Sequence, residues 1–359
     1  MKILHIAPPF FPIIEAQGYG GIERVISDLI KEQNLHEIHI AAPKGTILKA
    51  NVHETISPLG FFDRKERTDY TVLEHVRKTL EISNKIKPDV IHCHDDYLLP
   101  FMDILKAPSL LTLHSPYEDF WDFLKYDVYK DQKLVAISKR QKEIYEKNGF
   151  KIFDVVYHGV DINKYTFNEK RMNYLLSLSC IRQEKGQDKA IEIFDTLKYE
   201  LALDLIIAGN IGDEAFFKEK IAPRIDVDIS NADDKIKAYM ERKRNAPSII
   251  YTGEVNDKQK IPLFQNASIF LMPVTWEEPF GLVAVESMSC GTPVVAASIG
   301  ALPEMITDKT GSLISNDYKS AILYSLNLSR EDCRKHIENN FSTKKMASNY
   351  LELYSKIIR

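Results

Sequence analysis

The sequence predicts an α/β protein of two parallel-sheet domains, on three observations. Its 359 residues exceed the roughly 100–200 of a single domain. Short apolar runs alternate with helix-period segments, the pattern of strands joined by crossover helices. That rhythm pauses at the polar stretch Asp161–Arg171 and restarts at Tyr174. The expected boundaries are an N-terminal domain over 1–160, a linker over 161–172 and a C-terminal domain over 173–342. A final helix over 343–359 is expected to pack back toward the first domain.

The elements follow in order. Ile3–Ala7 reads as the first strand; Pro8, Pro9 and Pro12 then force an extended loop that ends in Gly18-Tyr19-Gly20-Gly21. Ile22, Val25, Ile26, Leu29 and Ile30 fall on one stripe, as an amphipathic helix requires. Ile38–Ala42, Val90–Cys93, Leu110–Leu113, Leu134–Ile137 and Val155–Tyr157 read as further strands, with a helix over Val72–Lys87. In the second domain the strands are Tyr174–Cys180, Leu203–Ala208, Ile249–Tyr251, Ile269–Met272 and Thr292–Ala296. The charged segment Asp226–Asn245 reads as a surface insertion or solvated helix. Met346, Tyr350, Leu353, Tyr354 and Ile357 lie at helical spacing within Thr343–Ile358.

Composition excludes several classes of function. Hydrophobic residues make up 44% and charged residues 27%, enough for two cores under a soluble surface, and the net charge is −4. A nucleic-acid partner would need a basic face, and no long basic run occurs. The N-terminal apolar run is too short for a signal peptide, and no stretch approaches the ~20 apolar residues of a membrane span. Cys93, Cys180, Cys290 and Cys333 lie far apart, which suits reduced thiols of a cytoplasmic protein better than a disulfide framework or a zinc site.

The sharpest motif is Trp276-Glu277-Glu278-Pro279-Phe280-Gly281-Leu282-Val283-Ala284-Val285-Glu286, between an expected strand and an expected helix. Pro279 suits a helix entrance, and Gly281 allows close approach to the backbone. The amides of Phe280, Gly281 and Leu282 would then face an anion, assisted by the helix dipole. Glu286 lies about a turn and a half further on, roughly 7 Å away. A diphosphate flanked by hydroxyl-bearing sugars fits two carboxylates so spaced. A second constellation, Ser179-Cys180-Ile181-Arg182-Gln183-Glu184-Lys185-Gly186, follows a strand and offers a planar fork and a point charge for phosphate.

Glu278 and Glu286 match the E-x7-E motif of the retaining GT-B glycosyltransferases of family GT4, and the sequence resembles that family over nearly its whole length. Cys290-Gly291-Thr292-Pro293-Val294-Val295, Leu302-Pro303-Glu304 and Tyr19-Gly20-Gly21-Ile22-Glu23-Arg24 carry the likeness further. The resemblance implies two Rossmann-like doubly wound domains facing across a cleft. It also implies transfer of a sugar from a nucleoside-diphosphate donor, UDP- or GDP-linked, to a glycan, lipid or small-molecule hydroxyl. Glu278 would bind hydroxyls of the donor sugar and Glu286 the ribose. The amides of Phe280, Gly281 and Leu282 would hold sugar and diphosphate, and Arg182 and Lys185 would grip the diphosphate. Gly20 and Gly21 would touch the donor by backbone, and His114, in Leu113-His114-Ser115-Pro116, would stand at the family's active-site histidine. Cys180 replaces a usual glycine, and His158 a usual asparagine. Glu23 and Arg24 read as a solvated first helical turn with no assigned role.

Retention is expected by front-face attack, since the sequence offers no well-placed nucleophile, and closure of the domains would assemble the site. No cofactor and no metal are expected. Asp226-Val227-Asp228 follows no strong strand, and His92 and His94 lack a third clear ligand. Two other readings stay open: a nucleotide-sugar 2-epimerase of the same architecture, and a non-catalytic sugar-nucleotide binder. A dinucleotide oxidoreductase would need a G-x-G-x-x-G after a strand. Lys139, Arg140 and Lys142 offer peripheral contact with an anionic inner membrane face, against the simpler reading of a solvated helix.

Overall fold

A computed structural model describes residues 1–14, 20–60, 69–117, 132–314 and 317–358; Gly18 and Tyr19 of the expected glycine loop lie outside them. The chain divides into two units, Met1–Gly159 with Thr343–Arg359, and Val160–Ser342. Among the described residues each unit contains a seven-stranded sheet in which every pairing is parallel.

The sheet of the first unit comprises β1 (Lys2–Ile6), β2 (Glu37–Ala42), β3 (Asn51–Glu54), β4 (Val90–Cys93), β5 (Ser109–Thr112), β6 (Leu134–Ala136) and β7 (Ile152–Val155). Its order is β3-β2-β1-β4-β5-β6-β7. The chain builds outward from β1 on one side and then restarts beside β1 with β4. That reversal is the switch point of a doubly wound sheet, where ligands bind beyond the carboxyl ends of the strands. Leu4, Ile6, Ile91, Cys93, Leu111 and Leu134 form its apolar layer, buried because crossover helices cover both faces. The helix Thr343–Ile358 belongs to this unit and buries Met346, Tyr350, Leu353 and Tyr354.

The second unit repeats the plan with β8 (Tyr174–Leu178), β9 (Asp204–Ala208), β10 (Val227–Asp228), β11 (Ile249–Tyr251), β12 (Ile269–Met272), β13 (Val294–Ala297) and β14 (Gly311–Ile314). The order β10-β11-β9-β8-β12-β13-β14 puts the reversal between β8 and β12. The loop carrying Arg182 and Lys185 leaves β8, and the loop carrying Glu278 leaves β12. Both therefore open at the ligand-binding end of this sheet.

Strands β3, β10 and β14 were not expected from the sequence. All three are edge strands, short and only partly buried, so they lack the apolar run that marks a central strand. Asp226–Asn245 is thus not simply an insertion or a solvated helix. It carries edge strand β10 and then the helix Lys235–Glu241. Asp226 accepts from the Ile249 amide at 2.8 Å and Asp228 from the Ser230 amide at 2.8 Å, so both carboxylates serve the local backbone. The stretch 161–172 packs within the second unit. Its carbonyls accept from two arginines of the helix Arg330–Asn340: Ile162 and Tyr165 from Arg334, Asn168 from Arg330. The four cysteines are unpaired, and Cys93, Cys290 and Cys333 are buried. Among the described residues no helix is long and apolar enough to cross a membrane.

Candidate active site

The loop after β12 turns into the helix Leu282–Ser289 through Gly281, whose φ of +93° is a left-handed conformation that suits glycine. Its missing side chain also matters, since a Cβ there would stand 2.8 Å from Leu302 Cδ2. The first amides of the helix point outward without intrahelical acceptors. Beneath the loop lies Gly300, at φ +61°, where a Cβ would stand 2.4 Å from the Glu278 nitrogen and 2.5 Å from its carbonyl oxygen. Ala301 donates to the Glu278 carbonyl at 2.8 Å. Glu278 therefore sits on a glycine turn twenty-two residues later in the chain, a support that sequence reading missed.

The Glu278 side chain is fixed from two directions. Its Oε2 accepts from Lys185 Nζ at 3.0 Å and from Trp276 Nε1 at 2.9 Å. The Lys185 ammonium also lies 3.8 Å from the centre of the Trp276 ring, a cation–π contact. Both bonds fall on Oε2. The loops after β8 and β12 are tied together as well: Thr275 donates to the Glu184 carbonyl at 2.9 Å. Gly186, at φ +72°, lies so near the Pro273 carbonyl that a Cβ would stand 2.1 Å from its oxygen.

Arg182 is more open, its guanidinium reaching Glu184 at 4.0 Å and hydrogen-bonding the Cys180 thiol. Gly212 makes room beside it, because a Cβ there would stand 2.4 Å from Cys180 Sγ and 2.6 Å from Arg182 Nε. That space is how this chain accommodates a cysteine where the resemblance leads one to expect glycine. Burial raises the Cys180 thiol above its ordinary range, opposed by the charge of Arg182.

Glu286 stands apart from that cluster and is fully buried. Lys260 Nζ lies 3.0 Å from each of its oxygens, and the Tyr165 hydroxyl donates to Oε1 at 2.5 Å. Lys260 and Tyr165 were not singled out in the sequence. Their signal was weak, a lysine within a helix and a tyrosine within a polar stretch.

The remaining site residues belong to the first unit. Gly20 has φ +127° and caps the helix Gly21–Glu32, while nothing lies within 4 Å of a Cβ built on Gly21. Glu23, expected on a solvated turn, is instead buried, and burial raises its carboxyl to about 7. Its Oε2 would be 2.9 Å from a Cβ on Gly20, so the carboxyl folds back over the glycine it follows.

His114 follows β5. Its Nε2 is 2.9 Å from His94 Nδ1, and its ring stacks on His158 with centres 5.1 Å apart. Burial lowers it to about 3, so the ring is neutral. The third imidazole that His92 and His94 lacked in the sequence is His5, which β1 sets in register with His92. The three present nitrogens within 4.8 Å of one another, the composition of a metal site. Hydrogen bonds already account for these nitrogens. His92 is bonded to Tyr354 and Thr112, His5 to Gln33, and His5 and His94 to each other.

Known proteins resemble the chain over nearly its whole length. Residues 161–342, just over half of the chain, match the family description Glycosyl transferases group 1, and residues 19–164 match Glycosyltransferase Family 4. An uncharacterized 41.2 kDa protein in the cps region of Klebsiella pneumoniae is 33% identical, with 99% of both chains covered. An uncharacterized glycosyltransferase of Methanocaldococcus jannaschii is 26% identical over 95% of this chain and 93% of its own. Among solved structures, Anabaena HepE in complex with UDP and glucose superposes with a TM-score of 0.73 at 17% identity, covering 99% of this chain and all of that one. The paired parallel sheets are the GT-B fold, and the chain belongs to the glycosyl transferases group 1 family of glycosyltransferases.

Proposed function

We propose that the chain moves a sugar from a nucleoside-diphosphate donor to an acceptor hydroxyl with retention at the anomeric carbon and without a metal ion. The observation that carries this reading is the Lys185–Glu278–Trp276 cluster beside the Gly281 helix entrance, at the switch point of the second unit's sheet. A departing diphosphate needs positive charge and aimed amides as the sugar–oxygen bond breaks. Arg182, Lys185 and the amides of Phe280, Gly281 and Leu282 supply them. Glu278 accepts donor-sugar hydroxyls, and Glu286 serves the ribose side. Gly20 and Gly21 approach the donor by backbone, and His114 serves the sugar. The leaving phosphate takes the acceptor's proton, so no protein nucleophile is required. That a solved neighbour holds UDP and glucose supports a uridine diphosphate sugar as the first donor to test.

The test is transfer from a panel of nucleotide sugars, with the anomeric configuration of the product read by NMR. Retention in the wild type is expected. In Arg182→Ala, kcat should fall about 10²–10³-fold, as for removal of one charge-stabilising donor, with a smaller change in donor KM. Inversion, or wild-type turnover in Arg182→Ala, would contradict the assignment. Epimer formation from donor alone would replace it with the epimerase reading.

A further inference from the structure

The buried imidazoles of the first unit form a directed hydrogen-bond chain, and its direction is set by Gln33. Gln33 is buried and stands at the carboxyl end of the helix Gly21–Glu32, where its backbone N–H donates to the Ile30 carbonyl and leaves the side-chain amide for other partners. The side chain is bonded on both sides. Its Nε2 donates to the Tyr354 hydroxyl at 3.3 Å, and its Oε1 lies 2.8 Å from His5 Nε2. An amide oxygen can only accept, so His5 carries its proton on Nε2 and presents a bare Nδ1. That Nδ1 lies 3.2 Å from His94 Nε2, which must therefore carry the His94 proton. His94 Nδ1 is then bare and accepts from His114 Nε2 at 2.9 Å.

Each step requires a neutral ring with one donor and one acceptor. Burial meets that requirement, lowering His5 to about 4, His114 to about 3 and His94 well below the ordinary imidazole range. A second branch is consistent with the same direction. Tyr354, having accepted from Gln33, donates to His92 Nδ1 at 2.7 Å, and His92 Nε2 then donates to the Thr112 hydroxyl at 2.7 Å. The Thr112 hydroxyl is free to donate to Tyr350 at 2.8 Å. At the end of the main branch, His114 Nδ1 is shielded from solvent and has no hydrogen-bond partner among the described residues.

We propose that Gln33, His5 and His94 are positioning residues that hold His114 in the Nε2–H tautomer, so that Nδ1 is an acceptor for a substrate hydroxyl. The role rests on the transfer reaction proposed above and sharpens it. A bare nitrogen lone pair repels a phosphate oxygen and welcomes an O–H, which assigns His114 to the hydroxyls of a sugar and leaves the diphosphate to the second unit.

The experiment is a long-range 1H–15N spectrum of the full-length, 15N-histidine-labelled protein without substrate, with the His114 signals identified by their loss in His114→Gln. The proposal expects a protonated Nε2 and a bare Nδ1 on His114. In His94→Phe the His114 tautomer should shift toward Nδ1–H, and kcat should fall about tenfold, the weight of one hydrogen bond, with nucleoside-diphosphate affinity unchanged. A protonated Nδ1 in the wild type, an unmoved tautomer in His94→Phe, or one equivalent of tightly held metal would overturn it. If His94→Phe does not fold, the wild-type spectrum alone decides. Because the spectrum needs no substrate, an Nδ1–H tautomer in a protein that still transfers sugar refutes the chain and leaves the transfer reading intact. Failure on every donor with the expected tautomer refutes the transfer reading.

Discussion

Glu286→Ala is expected to destabilise the second unit by about 3 kcal/mol, lowering its Tm by roughly 6–12 °C for a unit of this size. The carboxylate is fully buried and is the closest anion to Lys260, which is itself buried. Removing it strands an ammonium in low dielectric and removes the acceptor of the Tyr165 hydroxyl. Asp257 lies 3.5 Å from the same ammonium, but Lys164 holds it at 2.7 Å, so it substitutes poorly. Adding Lys260→Met to the Glu286→Ala variant should recover most of the loss, because it removes the stranded charge as well. Denaturant unfolding of the single and double variants checks both statements, and a single variant as stable as the wild type would show that the pair carries no weight.

Acid should unfold the first unit. His5 and His75 are lowered by burial to about 4, His114 to about 3, and His92, His94 and His158 well below the ordinary range. A group whose folded pKa is depressed contributes stability above its unfolded value, here near 6.5, and loses it as pH falls toward the folded value. Glu23 and Asp95 act in the opposite sense, since burial raises them to about 7 and about 8. Their contribution is complete at low pH and is lost as pH rises toward those values. As pH falls from about 6.5 toward 4.5, the unfolded imidazoles protonate while the buried ones resist, so unfolding takes up protons there, partly offset by release at the two carboxyls. Each proton of net uptake steepens the loss of stability by about 1.4 kcal/mol per pH unit. With several buried imidazoles acting together, that loss is large against a typical stability of about 5–15 kcal/mol, so the unit is expected to unfold on the acid side of pH 6. Far-UV circular dichroism during an acid titration reads it, and an unchanged spectrum down to pH 4 would contradict the buried-neutral histidines.

The central strands were legible because burial on both faces demands apolar runs. Val90–Cys93, Ile249–Tyr251 and Ile269–Met272 appear with the bounds expected from the sequence. The edges were not. Asn51–Glu54 has one apolar residue, Val52, and pairs on one side only. The loops bearing Glu278 and Lys185 were legible as chemistry because the residue types needed for a diphosphate and a sugar cluster within short spans. What holds them was not. Gly300 and Gly212 act by lacking side chains, far away in sequence, and only the folded contacts reveal the need. Glu286 was expected to face a ligand, and its present partners, Lys260 and Tyr165, come from two other elements. The histidine chain was invisible for the same reason: Gln33, His5, His94 and His114 are joined only when the helix after β1 and strands β1, β4 and β5 assemble.

The most direct test of the account is hydrogen exchange on the full-length protein with and without a bound nucleoside diphosphate, chosen from UDP, GDP and ADP by thermal shift. New protection is expected in residues 179–186 and 276–286, the loops tied by the Lys185–Glu278 pair, and its loss is expected in Lys185→Met. Nucleotide binding that protects other segments and leaves these two unchanged would contradict it.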